Sequence, residues 1–325
     1  MRRRLFAALV GLAALAPQAL LALELPPEPP RSVREHIGLY GESERPLVVY
    51  EKDGRLHADG LGLKAAPLVR VKGRFYATAA GEPRAILFGD AATVGGVRLE
   101  KRDFGAEAQA AIRRAVQADP AALRAAARAA TPPAETGKRP ADLVDLTTVD
   151  PAIRLDIRYA GRDNFMGVPL YERAGAWLQR PAAEALGRAA RRLRAEGYGL
   201  LVHDAYRPWF VTKMFWDATP PASRGFVADP AKGSRHNRGC AVDLTLYDLK
   251  TGKPVEMPSR YDEFSLRAFP DFVGGTSRQR ALRDRLRAAM EAEGFAVYEQ
   301  EWWHFDYRDW AQYPIGNVSF TDLAR

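Results

Sequence analysis

The sequence predicts an α+β protein with a mainly antiparallel sheet and flanking helices, preceded by a small all-β accessory module. Three observations support this prediction. The 325 residues exceed one typical domain. Short apolar runs bounded by Gly or Pro fill residues 33–104, whereas strand and helix patterns follow one another irregularly after residue 141. With 47% hydrophobic and 27% charged residues, the composition is that of a folded chain.

Residues 1–22 have the pattern of a secretory signal peptide. Arg2–Arg4 precede an apolar run from Leu5 to Ala16, and Pro17-Gln18 is followed by Ala19-Leu-Leu-Ala22. Leu20 stands where a small residue is preferred for a cut after Ala22, so an uncleaved N-terminal anchor is the alternative. No other stretch approaches the roughly 20 apolar residues of a membrane span. We expect a periplasmic or secreted protein of the bacterial envelope, without a stable membrane span after signal removal.

The charge and cysteine content exclude several classes of function. The formal net charge is +8, from 48 Lys+Arg and 40 Asp+Glu, and three of the arginines lie in the signal segment. Such a small excess, spread over the rest of the chain, is typical of an ordinary protein surface, so we expect no nucleic-acid partner. The single cysteine, Cys240, excludes an intramolecular disulfide and a cysteine-rich zinc site.

Residues 23–104 are predicted to form the β-rich accessory module. Leu25–Pro30 is rich in proline, which is typical of a stiff spacer. Asp53-Gly54 lies between two alternating runs and indicates a hairpin. The predicted strands are Leu47–Tyr50, Arg55–Ala58, Leu68–Val71, Arg74–Thr78, Arg84–Phe88 and Val97–Lys101.

A helical segment and a linker, residues 105–140, are predicted to separate the module from the larger domain. Ala106–Ala130 is rich in Ala and Arg and favours helix, with one break at Asp119-Pro120. Residues 131–140 contain three prolines and a glycine, which is typical of a linker. We therefore place the domain boundary in this stretch.

Residues 141–325 are predicted to form the α+β domain. In the first half of this domain, apolar residues recur on one face of a predicted helix, and two buried strands follow that helix. A Thr or Ser in the second half can cap another helix. Helices are predicted at Arg180–Arg194 and from Thr276 or Ser277 to Glu293, and strands at Arg154–Tyr159, Leu200–His203, Ala241–Leu246 and Phe295–Tyr298.

Two distant stretches carry side chains that suit a metal ion. His236 lies in a loop bounded by Gly and Ser, and Asp243 lies in the strand that follows. A carboxylate between the apolar residues of a buried strand is costly without a partner, and a metal ion would be one. Gly239 allows the backbone to turn so that His236 faces Asp243.

The second stretch, residues 299–306, places Glu301 and His304 three positions apart among aromatic residues. Such positions face opposite sides of a regular strand, so a shared site requires a bulge or a turn between them. His236, Asp243 and His304 then offer three ligands with a fourth position open, as in catalytic zinc sites. Glu301 would take a proton from water that attacks a carbonyl. The alternatives are a hydrogen-bonded His–Asp pair and an aromatic core.

A third element, Asp204–Pro208, directly follows a predicted strand. Arg207, held by Pro208, could donate two hydrogen bonds to a developing oxyanion. The alternative for this segment is a surface turn.

Five anchors appear in order between about Leu143 and Trp310. They are Arg158-Tyr-Ala-Gly-Arg-Asp-Asn-Phe165, Asp204-Ala-Tyr-Arg-Pro208, Ser234-x-His236-x-x-Gly239-x-Ala-x-Asp243-Leu-Thr-Leu246, Ser259-Arg-Tyr-Asp-Glu-Phe264, and Gly294-Phe295 leading to Glu301-Trp-Trp-His304. With these anchors the chain resembles the D-alanyl-D-alanine dipeptidases of the vancomycin-resistance type. Those enzymes are zinc metallopeptidases related to the D,D-carboxypeptidases and to the Hedgehog zinc fold, so a Hedgehog/D,D-peptidase-like sheet is expected.

The resemblance implies a role for each chemical group of the anchors. His236, Asp243 and His304 would bind one zinc ion per chain, and Glu301 would be the general base. Arg207 would stabilise the tetrahedral transition state.

The resemblance also implies how a substrate would be held. Asp262, with Tyr159 nearby, would meet the free ammonium group of a dipeptide, and Ser234 would support the substrate from the metal loop. Cys240 occupies a variable position of the loop motif and points away from the ligands by strand alternation, so it is not predicted to be a ligand.

The expected function is zinc-dependent hydrolysis of D-Ala-D-Ala to two D-alanines. One alternative is a D,D-carboxypeptidase or endopeptidase that acts on peptidoglycan stem peptides. Another is a non-catalytic zinc-containing protein that binds the cell wall. The expected partners are the dipeptide and peptidoglycan fragments, and the sequence leaves open whether the role is antibiotic resistance or wall recycling.

Overall fold

Three β-sheets and seven α-helices organise residues 24–79 and 81–323, the part of the chain that the computed structural model describes. The predicted signal peptide, residues 1–22, lies outside the described residues. Within those ranges, no helix combines the length and apolar character that crossing a bilayer requires.

Residues 38–102 form one antiparallel sheet of nine strands. The strands are β1 (Gly38–Tyr40), β2 (Leu47–Lys52), β3 (Arg55–Gly60), β4 (Leu63–Pro67), β5 (Val69–Val71), β6 (Arg74–Ala79), β7 (Glu82–Phe88), β8 (Ala91–Val94) and β9 (Val97–Arg102). Their order is β4-β3-β2-β1-β9-β8-β7-β6-β5, so the first and last strands pair at the centre. Leu47, Val49 and Ile86 belong to an apolar core of its own.

Six of these strands coincide with predicted ones. The predicted hairpin at Asp53-Gly54 is confirmed, because both residues have positive φ, at 52° and 79°, and Lys52 pairs with Arg55. The sequence did not predict β1, β4 and β8. Small residues such as Gly, Ala and Thr occupy many of their positions and give little alternation.

The predicted helical segment forms two helices, α2 (Phe104–Gln117) and α3 (Pro120–Ala129), after a short α1 (Arg31–Arg34). The predicted break is confirmed, since the Asp119 side chain accepts a hydrogen bond from the Ala122 N–H (2.8 Å) and caps α3. α2 and α3 bury Ile112, Val116 and Ala127 in the same core as the elements that follow.

The second half of the chain is α+β with a mainly antiparallel sheet, as predicted. Its strands are β10 (Leu143–Asp145), β11 (Ile153–Leu155), β12 (Trp177–Gln179), β13 (Tyr198–Asp204), β14 (Ala241–Asp248), β15 (Phe295–Tyr298) and β16 (Glu301–Tyr307). Its helices are α4 (Arg180–Ala195), α5 (Trp209–Ala218), α6 (Ser277–Glu291) and α7 (Phe320–Leu323). The main sheet has the order β11-β13-β14-β16-β15, and only β11 and β13 pair in parallel. β10 and β12 form a separate pair.

The predicted strand Arg154–Tyr159 is shorter than expected. β11 ends at Leu155, and Arg158–Ala160 forms a 3-10 turn. The Asn164 side-chain amide donates to the carbonyls of Arg158 (3.2 Å) and Gly161 (2.8 Å) and holds the turn. A side chain from outside the segment therefore overrides its alternating pattern.

The nine-stranded sheet is anchored to the start of α6. Thr276 is the N-cap of that helix in a capping box with Gln279. Buried Glu51 of β2 accepts hydrogen bonds from the backbone N–H groups of Ser277 (2.7 Å) and Gly54 (2.6 Å). One carboxylate thus joins the turn of the first hairpin to the helix.

The predicted linker, residues 131–140, is bound to the larger domain by hydrogen bonds of Glu135. The Glu135 carboxylate accepts two hydrogen bonds from the Arg238 guanidinium, at 3.0 and 2.9 Å, and one from the Ile315 N–H at 2.9 Å. Arg238 is buried and ends the 3-10 turn that begins at His236. The linker therefore supports the turn that contains His236, one of the predicted metal ligands.

We expect Glu135→Gln to lower the free energy of unfolding at pH 7 by about 1–3 kcal/mol, because Arg238 loses its charged partner. Partial burial favours a higher pKa for Glu135, but the hydrogen bonds from Arg238 and Ile315 outweigh it and lower the pKa. Because the pKa is lowered in the folded state, the carboxylate of Glu135 stabilises the protein fully at pH values above its unfolded pKa. This stabilisation is lost progressively as the pH falls from there through the folded pKa.

Urea denaturation of both proteins at pH 7 and pH 4 checks this, and the difference must shrink at the lower pH. Glu184→Gln, an exposed position of α4, is the control and should change stability by less than about 0.5 kcal/mol. A Glu135→Gln variant as stable as the wild type at pH 7 would contradict the prediction.

Candidate active site

Three donor atoms from distant parts of the chain meet beside the main sheet. Asp243 Oδ1 lies 3.0 Å from His304 Nδ1 and 3.3 Å from His236 Nε2, and the two ring nitrogens are 3.1 Å apart. All three side chains are buried. A tetrahedral ion with bonds of about 2.05 Å separates its ligand atoms by roughly 3.3 Å. The triad thus has nearly the dimensions of a zinc site.

Strand register and one glycine place the triad. β14 pairs with β16 so that Asp243 lies opposite His304. His236 begins a 3-10 turn that ends at Gly239, whose φ is +65°. A Cβ on Gly239 would come within 2.6 Å of Leu143 Cδ2, so the turn needs glycine for its backbone and for its space. The turn predicted at Gly239 is confirmed.

The irregularity predicted between Glu301 and His304 is also present. Val297 of β15 pairs with Phe305, but its neighbour Tyr298 pairs with Glu301. The residues between these pairs are extra on β16 and form a bulge. Glu301 Oε2 consequently lies 3.7 Å from His304 Nδ1, on the side of the triad.

The outer ring nitrogens of both histidines face hydrogen-bond acceptors, so the inward-facing nitrogens are the ones that can offer lone pairs to a cation. His236 Nδ1 is 2.7 Å from the carbonyl oxygen of Ala205, and His304 Nε2 is 2.9 Å from Asp306 Oδ1. The carbonyl and the ionised carboxylate only accept, so these outer nitrogens carry the protons. Lone pairs then converge with Asp243 Oδ1, a buried oxygen without a hydrogen-bond donor. The three residues fit a metal cation.

The electrostatics of the site favour positive charge at the same point. Burial alone would lower the pKa of His304, but Asp306 and Asp243 raise it to about 10. The two carboxylates therefore stabilise a protonated His304, or a metal cation that takes the place of its inward-facing proton. Asp306 was not predicted as a site residue, although it follows His304 by two positions and so shares its face of the strand.

We expect Asp306→Ala to weaken zinc binding by about 10–100-fold, because His304 loses the acceptor that fixes its orientation. Competition with a chromophoric chelator measures the affinity. Asp306→Asn keeps an acceptor oxygen and should lose much less. Equal affinities for Asp306→Ala and the wild type would show that the contact has no part in metal binding.

Glu301 has the protonation properties of a general base. Burial and the nearby Asp243 carboxylate together raise the pKa of Glu301 to about 7, although His304 opposes the shift. A carboxylate that titrates near neutral pH can both accept and return a proton.

Arg207 is held rigidly beside the triad. Its Nε and Nη2 bond to Asp204 Oδ2 at 2.9 and 2.8 Å, and its guanidinium lies 4.7 Å from the centre of the Phe215 ring. Nη2 is 3.7 Å from Asp243 Oδ2. Arg207 is buried, so the surface-turn alternative for this segment is wrong.

The residues predicted to hold substrate line the same cavity as the triad. Tyr159 Oη donates to the Asp262 carboxylate, with both oxygens at 3.0 Å. Burial raises the pKa of Asp262 well above its ordinary value, and the carboxylates of Asp243 and Glu301 add to the shift. Ser234 Oγ accepts a hydrogen bond from the His236 N–H at 3.2 Å, so it also supports the metal loop.

The predicted metal ligands, the predicted base and the predicted substrate-binding residues all line one cavity of about 450 Å³. The eight residues that the sequence predicted for the site all line it: Tyr159, Arg207, Ser234, His236, Asp243, Asp262, Glu301 and His304. Aromatic side chains such as Phe226, Phe264 and Trp303 form other parts of the wall. The size and the mixed lining are typical of small-molecule sites.

Tyr261 is a second site residue that the sequence did not reveal. Its hydroxyl donates to Asp243 Oδ2 at 2.9 Å, leaving Oδ1 to face the histidines. The two residues are 18 positions apart, and only the folded chain brings them together.

A model of peptidase family M15, described as D-ala-D-ala dipeptidase, matches residues 139–321. The chain belongs to this family. The resemblance predicted from the five anchors is confirmed, and so is the prediction of an enzyme of this peptidase type. The nine-stranded sheet, α2 and α3 all precede the matched region.

Several proteins that are similar in sequence to this chain are named D-alanyl-D-alanine dipeptidase. The D-alanyl-D-alanine dipeptidase of Escherichia coli (strain K12) is 35% identical over 177 residues, which are 54% of this chain and 89% of that protein. The one of Enterococcus faecium is 38% identical in an alignment of 189 residues that covers 52% of this chain and 92% of its own. The solved structure of the LdcB LD-carboxypeptidase shares 18% identity over 55% of this chain and 70% of its own, with a TM-score of 0.31. That similarity is too weak to support a conclusion.

Proposed function

We propose that this chain is a zinc-dependent D-alanyl-D-alanine dipeptidase that hydrolyses D-Ala-D-Ala to two D-alanines. One observation carries the proposal: a metal-binding triad, a carboxylate free to act as a base and a buried carboxylate for an ammonium group line the same cavity. The named relatives are dipeptidases for this substrate, which supports the same choice.

His236, Asp243 and His304 would hold the zinc ion. A bound zinc ion supplies Lewis-acid chemistry that lowers the pKa of water and polarises a carbonyl group. Three protein ligands leave one position for water or substrate, as in catalytic zinc sites.

Glu301 moves the proton. Its carboxylate accepts a proton from the water whose oxygen attacks the scissile carbonyl carbon, and it returns that proton to the nitrogen of the leaving D-alanine as the C–N bond breaks. The pKa of about 7 in the buried site suits both steps.

Arg207 stabilises the negative charge that develops on the carbonyl oxygen. Asp204 fixes the guanidinium through two contacts, so the donors need no reorganisation during the reaction. Tyr171 Oη donates to the other oxygen of Asp204 (2.6 Å) and completes this support.

Asp262 and Tyr159 recognise the amino terminus of the substrate. A buried carboxylate with a raised pKa gains most from a cation beside it, and the ammonium group of a free dipeptide is such a cation. An N-acylated stem peptide lacks that charge. The pair therefore favours a free dipeptide over longer peptidoglycan peptides.

We propose a division of the chain into a signal peptide (1–22), a β-rich accessory module (23–104), a helical segment with a linker (105–140) and a Hedgehog/D,D-peptidase-like catalytic domain (141–325). The separate core of the nine-stranded sheet supports the second of these units. The signal pattern supports a place of action in the periplasm or outside the cell.

Release of D-alanine from a panel of peptides tests the proposed function. Zinc-loaded protein should cleave D-Ala-D-Ala much faster than N-acetyl-D-Ala-D-Ala, a stem pentapeptide or L-Ala-L-Ala. Preference for the acylated peptides would instead indicate a D,D-carboxypeptidase or endopeptidase. Zinc binding without any hydrolysis would indicate a non-catalytic cell-wall protein.

A further inference from the structure

Helix α2 precedes the family match, yet it contacts the loop that carries Asp262. Gln109 Nε2 donates to the backbone carbonyl of Asp262 at 2.7 Å. Asp262 has a φ of +57°, in the left-handed region that residues other than glycine seldom occupy. Such a conformation persists only where the surrounding structure holds it. The hydrogen bond from Gln109 reaches the backbone of Asp262 itself and so helps to hold it.

The same face of α2 contacts the turn that carries Tyr159. Arg113 lies four residues after Gln109, one helical turn away, and its Nη2 donates to the Asn164 carbonyl at 2.8 Å. The Asn164 side chain in turn holds the carbonyls of Arg158 and Gly161. One face of the helix therefore supports both partners of the Tyr159–Asp262 hydrogen bond.

The start of α2 packs closely on the residue next to Asp262. A Cβ on Gly105 would come within 2.5 Å of Glu263 Cγ. Further along the helix, Gln109 and Arg113 line a cavity of about 930 Å³ together with Asn164 and Asp262, which belong to the two substrate loops. The helix is consequently coupled to the two substrate loops by these two polar side chains and by one close backbone approach.

We infer that α2 is a substrate-recognition element, in which Gln109 and Arg113 position the Asp262–Tyr159 pair to receive the amino terminus. The inference rests on the proposed function, because it assumes that Asp262 meets the substrate ammonium group. Gln109 and Arg113 are positioning residues, since each acts through the backbone of a substrate loop. A segment outside the matched peptidase region thus sets selectivity for free dipeptides.

Gln109→Met tests the inference, because it keeps the length of the side chain and removes the donor. We expect kcat/KM for D-Ala-D-Ala to fall about 10-fold, mainly through KM, as one hydrogen bond is lost. Zinc content and the activity towards N-acetyl-D-Ala-D-Ala should not change. Gln117→Met, an exposed glutamine of the same helix, is the matched control and should behave as the wild type.

A double-mutant cycle separates positioning from general structural support. In the Asp262→Asn background, Gln109→Met should cause no further loss, because the group that it positions no longer carries charge. An equal loss in both backgrounds, or an equal loss for free and acylated substrates, would overturn the inference. Should Gln109→Met fail to fold, Gln109→Glu keeps the shape, replaces the donor by an acceptor and should reduce kcat/KM at least as much.

These experiments distinguish a failure of the proposed function from a failure of the role inferred for α2. A wild-type protein that does not cleave D-Ala-D-Ala would refute the proposed function. A wild-type protein that cleaves it, together with a Gln109→Met variant of unchanged KM, would refute only the role of α2.

Discussion

Glu301→Gln should lower kcat for D-Ala-D-Ala by about 1,000-fold while one zinc ion per chain stays bound. The amide has nearly the shape of the carboxylate but cannot accept the proton of the attacking water. Glu301 lies outside the triad, with its Oε2 3.7 Å from His304 Nδ1, so we expect the three proposed metal ligands to remain in place. D-alanine release gives kcat, and elemental analysis gives the zinc content of the same sample.

Glu299→Gln provides the matched control for that variant. Glu299 is exposed and precedes Glu301 by two residues, so its replacement should leave kcat within about twofold of the wild type. Full activity of Glu301→Gln would remove the proposed base from the mechanism. Loss of zinc together with activity would show that Glu301 serves the metal instead.

Asp262→Asn should lower kcat/KM for D-Ala-D-Ala by about 50-fold, as expected for the loss of a charged hydrogen-bond partner. Asn is the appropriate replacement because it tolerates the left-handed conformation that Asp262 adopts, with φ of +57°. Tyr159 keeps an acceptor, so the fold of the site is retained. The effect should appear mainly in KM, measured by D-alanine release.

N-acetyl-D-Ala-D-Ala is the matched control for Asp262→Asn. It lacks the ammonium group, so its slower hydrolysis should be unaffected by the substitution. If both substrates lose activity equally, Asp262 supports the site in general and does not read the amino terminus.

Much of the site could be predicted because its residues lie in short, regular patterns. Asp243 lies in an apolar strand, and Gly239 marks the turn before it. The offset between Glu301 and His304 required a bulge, and the register of β15 and β16 contains one. These inferences need only strand alternation and the properties of neighbouring residues.

Contacts between distant segments could not be predicted in this way. Glu135 and Arg238 are 103 residues apart, and Gln109 and Asp262 are 153 apart. Proline content favoured a linker around Glu135, and alternation favoured a strand up to Tyr159. In both places, side chains from other elements determine the structure, and local patterns carry no information about them.

X-ray absorption spectroscopy of the zinc-loaded protein, combined with its crystal structure, tests the central claim most directly. The account predicts one zinc ion bound by His236 Nε2, His304 Nδ1 and an oxygen of Asp243, with the remaining position taken by a ligand that is not part of the protein. A zinc ion enclosed by four protein donors, or a protein that binds no zinc through these three side chains, would contradict it.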